Sequence, residues 1–585
     1  MATLWFVLLA MAATGPALFL DRSLGPESTI DSDPLFAVGN PPPKAIISDE
    51  TRTLYDLPHD FAAADGLHAG RFDLWNPRVG LGVPLWAEGG ALFSPLKVPF
   101  YLMPSRRTYD LATALRLVVA GLGAYLLARR RGLASVPALA AGSLFELSGT
   151  MVATLPFGAA VPPSLLPWAL LGAEAIARER TLAAAAGSGI ALGVAANVGH
   201  PMQALAVFAG FGAAIGGRML AACWRRPRTV LAIGALACLA VAIGVVIGAP
   251  ALLPGWEAWG VGRLYKSTPR LGAHMALALD FSRSSVPIAL LSPGLLGPLQ
   301  AEVPTLYPWL LNPALGVMGL LLALVGLLRG RLDAPLVSVL LLGIGMTLAP
   351  PGLGWVNRVP PLHFVYPTYS WALVAVPLTQ AAGGGVAVLM TPRAGRVVVV
   401  ALGLVVLGVL WLLPHHYFLP GVGFFDKPMR SAFVTILGRP TGWVRLLLPL
   451  VVAATVAAWI AVTARTGLSR RAAALVIALA SIELVVSLAP TVWWWDSKVL
   501  GAPPSPAVRF LREHLDSRYR MVASWVIGSP SRPSLFSLPD IRSTGALPVE
   551  RYVQYLQGIA LSVDWFWMQT AGNVVRHPLL DLAAV

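Results

Sequence analysis

Thr229–Leu253 reads TVLAIGALACLAVAIGVVIGAPALL, a run with no charged residue. A helix rises about 1.5 Å per residue, and a bilayer's hydrocarbon core is about 30 Å thick, so this run is long enough to cross a membrane. The reading extends along the chain. Apolar residues make up 56% of the 585 and charged residues 12%, and mean hydropathy is +0.70. A soluble chain of this size carries about 25% charged residues. Twelve further runs qualify as spans: Leu4–Leu20, Leu111–Ala128, Ala134–Leu155, Val161–Ala177, Leu182–Val198, Pro201–Gly217, Tyr307–Leu328, Ala334–Leu348, Phe364–Met390, Val397–Leu413, Val444–Val462 and Ala472–Leu488. The first lacks a basic leader and a small-residue cleavage site before Asp21 and Arg22, and is read as a retained helix.

Arginines orient the bundle. With the N-terminus inside, all six inner loops are basic, holding sixteen arginines against Glu179 and Asp333. The net charge of +15 is thus topological, and nucleic-acid binding is not expected. Two cysteines, Cys223 and Cys238, form neither a disulfide framework nor a zinc motif. The expected fold is an all-α polytopic membrane protein of about thirteen transmembrane helices. It carries a structured first extracytoplasmic loop and a partial α/β extracytoplasmic domain at the C-terminus. The regions are a first helix (1–20), extracytoplasmic loop 1 (21–110), the bundle (111–490) and an outer domain (491–585) that reads as truncated.

Loop 1 holds eleven of the chain's 28 acids before Gly90. Within Ile46-Ile47-Ser48-Asp49-Glu50-Thr51-Arg52-Thr53-Leu54-Tyr55-Asp56-Leu57-Pro58-His59-Asp60-Phe61, a carboxylate at the membrane surface is placed to act as a general base on a hydroxyl. Asp49, beside Glu50, is equally an N-cap for a surface helix. His59 next to Asp60 resembles a base with an orienting acid, or two exposed helix residues. The Gly-, Trp- and Pro-rich stretch Gly70–Glu88, with Trp75, Asn76 and Glu88, specifies a defined loop able to shape a pocket or serve only as structure. Inside the spans, Arg116, Glu146 and Glu483 fall in the outer halves, and Arg116 and Glu146 are placed to pair with each other. Glu174 is four residues from Arg178, a helical ion-pair spacing. His200 lies in an outer turn, Gly199-His200-Pro201, and Gly383–Gly385 suits close helix packing. After Trp493–Trp495, an interfacial anchor, Ser505–Leu515 reads as a helix with Ser505 as N-cap, and Arg520–Ile527 alternates like a strand.

Several of these pieces occur together, in order, in a known group. Ser48-Asp49 through Phe61, Gly70–Glu88 with its Leu-Trp-Asn-Pro core, Phe93-Ser94-Pro95-Leu96, Leu147-Ser148-Gly149, Pro167-Trp168, Gly199-His200-Pro201, Leu538-Pro539-Asp540-Ile541-Arg542, Arg551–Leu556 and Leu579–Leu582 make the chain resemble the YfhO-like bacterial membrane proteins, a group related to the GT-C glycosyltransferases. The resemblance implies a GT-C-like fold in the bacterial inner membrane. It implies transfer of a sugar from a polyprenyl-phosphate donor to a cell-envelope glycan or protein outside. It also implies that Asp49 is a catalytic base or a ligand for a divalent metal. His59 and Asp60 join Asp49 and Glu50 as catalytic candidates. Trp75, Asn76, Glu88, His200 and the outer cations Arg263, Lys266 and Arg358 are candidates for substrate binding. Two other readings remain open from the residues: a transporter or flippase of lipid-linked saccharides, and a non-catalytic envelope assembly protein.

Overall fold

The computed structural model describes residues 1–31, 33–37, 51–85, 94–222, 227–261, 313–392, 395–417, 440–463, 466–492, 494–495, 503–515, 519–522, 529–543, 550–558, 561–563 and 568–570. A few single positions between 276 and 286, and residue 500, are also described. Every expected span contains a helix among its described residues. In chain order these are α1 (Ala2–Phe19), α2 (Arg106–Arg130), α3 (Ser135–Glu146), α4 (Leu166–Glu179), α5 (Leu182–Asn197), α6 (Pro201–Ala222), α7 (Pro227–Val261), α8 (Gly316–Leu328), α9 (Ala334–Leu348), α10 (Ala372–Leu389), α11 (Gly395–Tyr417), α12 (Pro440–Thr463) and α13 (Arg470–Leu488). Hydroxyls start several of them. Ser105 Oγ accepts from Thr108 N–H (3.2 Å) ahead of α2, Thr181 Oγ1 from Ala184 N–H (3.2 Å) ahead of α5, and Ser469 Oγ from Ala472 N–H (3.2 Å) ahead of α13.

Six helices among the described residues are long and apolar enough to cross a membrane by length and composition: Ala2–Phe19, Arg106–Arg130, Pro201–Ala222, Pro227–Glu257, Pro367–Leu389 and Arg470–Leu488. Others are shorter. Gly316–Leu328 extends only about 20 Å. Short helices are tolerated at membrane depth when protein groups satisfy their freed backbone. Glu483 does this for α8, accepting from Val317 N–H (2.6 Å) and Met318 N–H (3.0 Å). The expected span Ala134–Leu155 is likewise broken. Its helix ends at Glu146, and Gly149 N–H then donates to Ala314 O at 2.7 Å.

Small residues let helices meet closely. A Cβ on Gly326 would collide with Ala381 O, and one on Gly385 with Leu322 O, so α8 and α10 touch backbone to backbone. The packing role expected of Gly383–Gly385 is therefore observed. At one end of the bundle, Arg218 Nη2 bridges Glu174 Oε1 (2.5 Å) and Asp333 Oδ2 (3.1 Å). Arg131 reaches Asp333 Oδ1 (3.1 Å), and Arg178 reaches Glu174 Oε2 at 3.1 Å, as their spacing led us to expect.

The opposite end carries an outer layer. β1 (Arg22–Ser23), at the exit of α1, pairs antiparallel with β4 (Trp494–Trp495), at the exit of α13. β2 (Trp75–Asn76) and β3 (Val83–Pro84) form a hairpin. Helix α14 (Pro506–His514) starts as expected, with Ser505 Oγ accepting from Val508 N–H (3.1 Å). Described residues of the C-terminal segment dock on loop 1 at several points. Ser505 Oγ donates to Leu35 O (2.7 Å), and Ser529 N–H to Asp33 Oδ2 (2.9 Å). Phe36 stacks on Phe536 with ring centres 4.6 Å apart, and Arg532 Nη2 donates to Thr53 Oγ1 (3.1 Å). The hairpin tip joins the same seam: Asp540 N–H donates to Arg78 O (2.9 Å), and Gly80 N–H to Arg542 O (3.2 Å). Of the strand-like stretch Arg520–Ile527, Met521 forms a single bridge with Asp540; positions 523–528 lie outside the described residues.

Candidate active site

The site is built on the turn that precedes the surface helix of loop 1, Leu57–His68, which has Pro58 in its first turn. Arg52–Asp56 is wound one residue wider than an α-helix, as a π-helical turn, and all five of its residues are buried. Such turns are rare and recur at functional sites. Arg52 anchors this one. Its Nη2 lies 2.5 Å from Glu27 Oε1 and 2.5 Å from Asp110 Oδ1, with no side-chain exposure on any partner. Arg106 Nη1 reaches the other oxygen of Asp110 at 2.9 Å, and the guanidinium of Arg52 sits 4.7 Å from the centre of the Tyr109 ring. Burial by itself would favour the uncharged guanidine. Glu27 and Asp110 outweigh it and hold Arg52 more firmly protonated than in water.

Asp56, at the end of the turn, is fully enclosed. Its Oδ2 accepts from Gly158 N–H at 2.9 Å. Burial pushes its pKa up to about 7; Lys97 opposes the rise, Asp60 adds to it, and the Gly158 hydrogen bond also opposes it. Lys97 Nζ is itself committed to Asp60 Oδ2 at 2.6 Å. A side chain at position 158 would displace its neighbours, since a Cβ there would strike the Tyr109 hydroxyl and lie 2.9 Å from Asp56 Oδ2.

The same stretch, Phe157–Ala160, receives a cation from below. Arg116 Nη1 donates to Phe157 O (3.0 Å) and Ala160 O (3.2 Å), and Nη2 to Thr154 Oγ1 (3.4 Å). Arg116 Nε has no partner. The expected pairing with Glu146 does not form. The carbonyls of 157 and 160 take the guanidinium instead, and both Glu146 oxygens are buried without a hydrogen bond. His200 closes this side. Its N–H donates to Ala159 O (2.9 Å), and its ring lies 4.8 Å from Tyr369 and 5.8 Å from Phe157. Burial holds its pKa below the ordinary histidine range.

Of the sequence candidates, Asp49, Glu50, Glu88, Arg263 and Lys266 lie outside the described residues. His59 and Asp60 are not a pair. Neighbours on a helix do not face each other; His59 Nδ1 meets Tyr55 O at 2.8 Å while Asp60 goes to Lys97. Trp75 and Asn76 belong to the hairpin. The Trp75 indole covers Gly82, and Asn76 Oδ1 accepts from Arg78 N–H (3.0 Å), an arrangement that shapes the turn. Arg358 is exposed at the end of the turn Gly354–Arg358, in the outer segment between α9 and α10. Asp56 was not singled out from sequence, although it sits in the stretch that was. A metal does not fit the described carboxylates: Asp56 and Asp60 are each taken by protein donors, and no group of three or more His, Cys, Asp or Glu that could hold a metal ion occurs among the described residues.

A carboxyl titrating near neutrality can take a proton from an incoming hydroxyl. A cation fixed on the same four residues can stabilise negative charge developing beside it. Both are buried at the end of the bundle that carries loop 1.

No protein-family model and no curated protein matches the sequence. Among solved structures, the chain is similar to arabinofuranosyltransferase AftD from Mycobacteria at 18% identity and TM-score 0.44, over 96% of this chain and 34% of that one. It therefore spans about a third of the mycobacterial protein's length. It is also similar to ArnT from Cupriavidus metallidurans in the apo state (13% identity, TM-score 0.47, 92% of this chain and 84% of that one). The likeness to the same protein bound to undecaprenyl phosphate is at 14% identity and TM-score 0.42, over 92% and 86%. All three scores are too low to assign a fold family or a reaction to this chain.

Proposed function

We propose that this chain is a membrane glycosyltransferase of the inner membrane of a bacterium. It moves a sugar from a polyprenyl-phosphate donor to a cell-envelope glycan or protein on the extracytoplasmic face, with its N-terminus cytoplasmic and its C-terminus outside. The observation that carries the reading is the pairing of a buried proton acceptor, Asp56, with an anchored cation, Arg116, on the single stretch Phe157–Ala160. The motif order shared with the YfhO-like proteins supports it.

In this reaction the Asp56 carboxylate takes the proton of an acceptor hydroxyl. The hydroxyl oxygen attacks the anomeric carbon, and the bond from that carbon to the phosphate oxygen breaks with inversion. The electron pair leaves on polyprenyl phosphate, whose charge Arg116 stabilises. The prenyl tail lies among the spans. Asp49, seven residues upstream, is the sequence candidate for this role and lies outside the described residues; the proposal rests on Asp56.

The test is Asp56→Asn in the purified full chain, assayed for transfer from a radiolabelled polyprenyl-phosphate sugar. Loss of a general base lowers the rate by about 10²–10⁴-fold. Undiminished transfer by the variant removes the proposal.

A further inference from the structure

The short helix Arg532–Phe536 in the C-terminal segment has an unusual backbone at both ends. Ser531 before it has φ 68° and Ser537 after it φ 60°, in the left-handed region that residues other than glycine rarely adopt. Such conformations persist where the surroundings over-determine them, and they collect at clamps and active sites. Hydrogen bonds fix this segment from inside. Ser534 Oγ donates to Ser531 O (2.7 Å), Ser537 N–H to Ser534 O (3.1 Å) and Leu538 N–H to Pro533 O (3.0 Å).

This fixed segment bears on the turn that carries Asp56. Arg532 is 3% exposed. Its Nη2 donates to Thr53 Oγ1 (3.1 Å) and its Nη1 to Ser529 Oγ (3.3 Å), while Ser529 N–H donates to Asp33 Oδ2 (2.9 Å). Leu535 packs against the buried cluster of Leu57, Ala64, Phe100 and Tyr109. Thr53 and Asp56 lie inside one hydrogen-bonded ring, because Leu57 N–H donates to Arg52 O across the π-helical turn. The C-terminal segment therefore meets this ring at Thr53 and packs against the cluster to which its closing residue, Leu57, belongs.

We infer that Arg532 is a positioning residue for the transfer reaction: through Thr53 it holds the turn Arg52–Asp56 so that the Asp56 carboxyl stays enclosed against Gly158. The inference rests on the transferase reading. Arg532 acts on the turn and not on the substrate. A turn released at Thr53 lets Oδ2 leave its place and admits water to the carboxyl. Burial is the main cause that pushes the Asp56 pKa up to about 7, so admitting water brings it down towards the ordinary carboxyl range. The charged and titratable groups that act on Asp56 or feel its charge, Arg52, Asp60, Lys97, Tyr109 and Arg116, stay as they are when Thr53 or Arg532 is replaced.

The experiment uses the full chain in nanodiscs with Thr53→Val, Thr53→Ser, Arg532→Met and the double variant Thr53→Val/Arg532→Met. Amide hydrogen exchange, read by mass spectrometry, needs no donor. In the peptide spanning residues 52–57 it should quicken about tenfold in Thr53→Val and Arg532→Met, the equivalent of one lost hydrogen bond, and stay native in Thr53→Ser. Native exchange in the membrane helices shows that the variants are folded. Transfer is then measured from radiolabelled undecaprenyl-phosphate glucose or decaprenyl-phosphate arabinose. In Thr53→Val and Arg532→Met, kcat should fall about tenfold to 10²-fold, since a displacement of about 1 Å costs the latter, with KM for the donor unchanged. The midpoint of the pH profile should move to lower pH. The double variant should be no slower than the slower single, because both remove the same contact. Native exchange in the turn of Thr53→Val overturns the inference, and so do losses that add in the double variant. The two readings fail separately: an active Asp56→Asn removes the transferase, whereas an inactive Asp56→Asn with native exchange and native kcat in Thr53→Val removes only the positioning role.

Discussion

Gly158 sets the position of Asp56. Its N–H holds Oδ2 at 2.9 Å, and its missing side chain leaves room for the Tyr109 hydroxyl. Gly158→Ala keeps the donor and displaces the acceptor, so transfer should fall by about 10²-fold in kcat with the protein still folded, as a misplacement of about 1 Å does. A variant with native kcat would show that the contact has no part in catalysis. The pH dependence follows from the raised carboxyl. Asp56 titrates at about 7, and only its carboxylate accepts a proton. Transfer should therefore be low at pH 6, rise through about pH 7 and level off above it; a profile flat from pH 5 to 8 would place the base elsewhere. The acidic stretch containing this residue was readable from the sequence, but the residue itself was not. Which carboxyl of the run is enclosed depends on a partner 102 positions away. The wide turn at Arg52–Asp56 moves the register in a way that no helical pattern shows.

At the scale of helices, the spans were legible because a long uncharged run has one stable home. Their interruptions were not. α3 stops at Glu146, and α8 starts at Gly316, because other chain segments accept the freed backbone groups there. Glu483 looked like a functional charge in the sequence, and in the fold it caps α8 through two N–H groups. Glu483→Ala leaves both donors orphaned at membrane depth. It should lower stability by about 1–3 kcal/mol, read as a drop in thermal midpoint in detergent, with Glu483→Gln losing less. An unchanged midpoint would show that the cap is dispensable. Gly385→Leu should do more damage, since its side chain meets Leu322 O directly and forces α8 from α10. The expected result is loss of a monodisperse folded peak, and a native elution profile would contradict this packing.

Across the whole molecule, the contacts sort the connections into two sets. Arg131, Glu174, Arg218 and Asp333, which follow or end even-numbered spans, meet at one end. The stretches around Asp56, Gly158, His200 and Tyr369, which follow odd-numbered spans, meet at the other. The pairing of Arg22 with Trp495 adds the exits of the first and last helices to this second set. Arginine counts predict the sign, with the first set expected in the cytoplasm. With Cys223 and Cys238 replaced by serine, a membrane-impermeant maleimide applied to intact cells should label Arg358→Cys and spare Arg129→Cys. The reverse pattern would invert the protein and its site.

The seam between loop 1 and the C-terminal segment has a consequence for biogenesis. Thr53 meets Arg532 across 479 positions of chain. At about 5–20 residues per second of translation, roughly 25–95 s separate the two. Throughout that interval Gly158 can already hold Asp56, while the rest of the loop lacks its C-terminal partner. A chain released before residue 532 therefore leaves Thr53 and Phe36 without their partners across the seam.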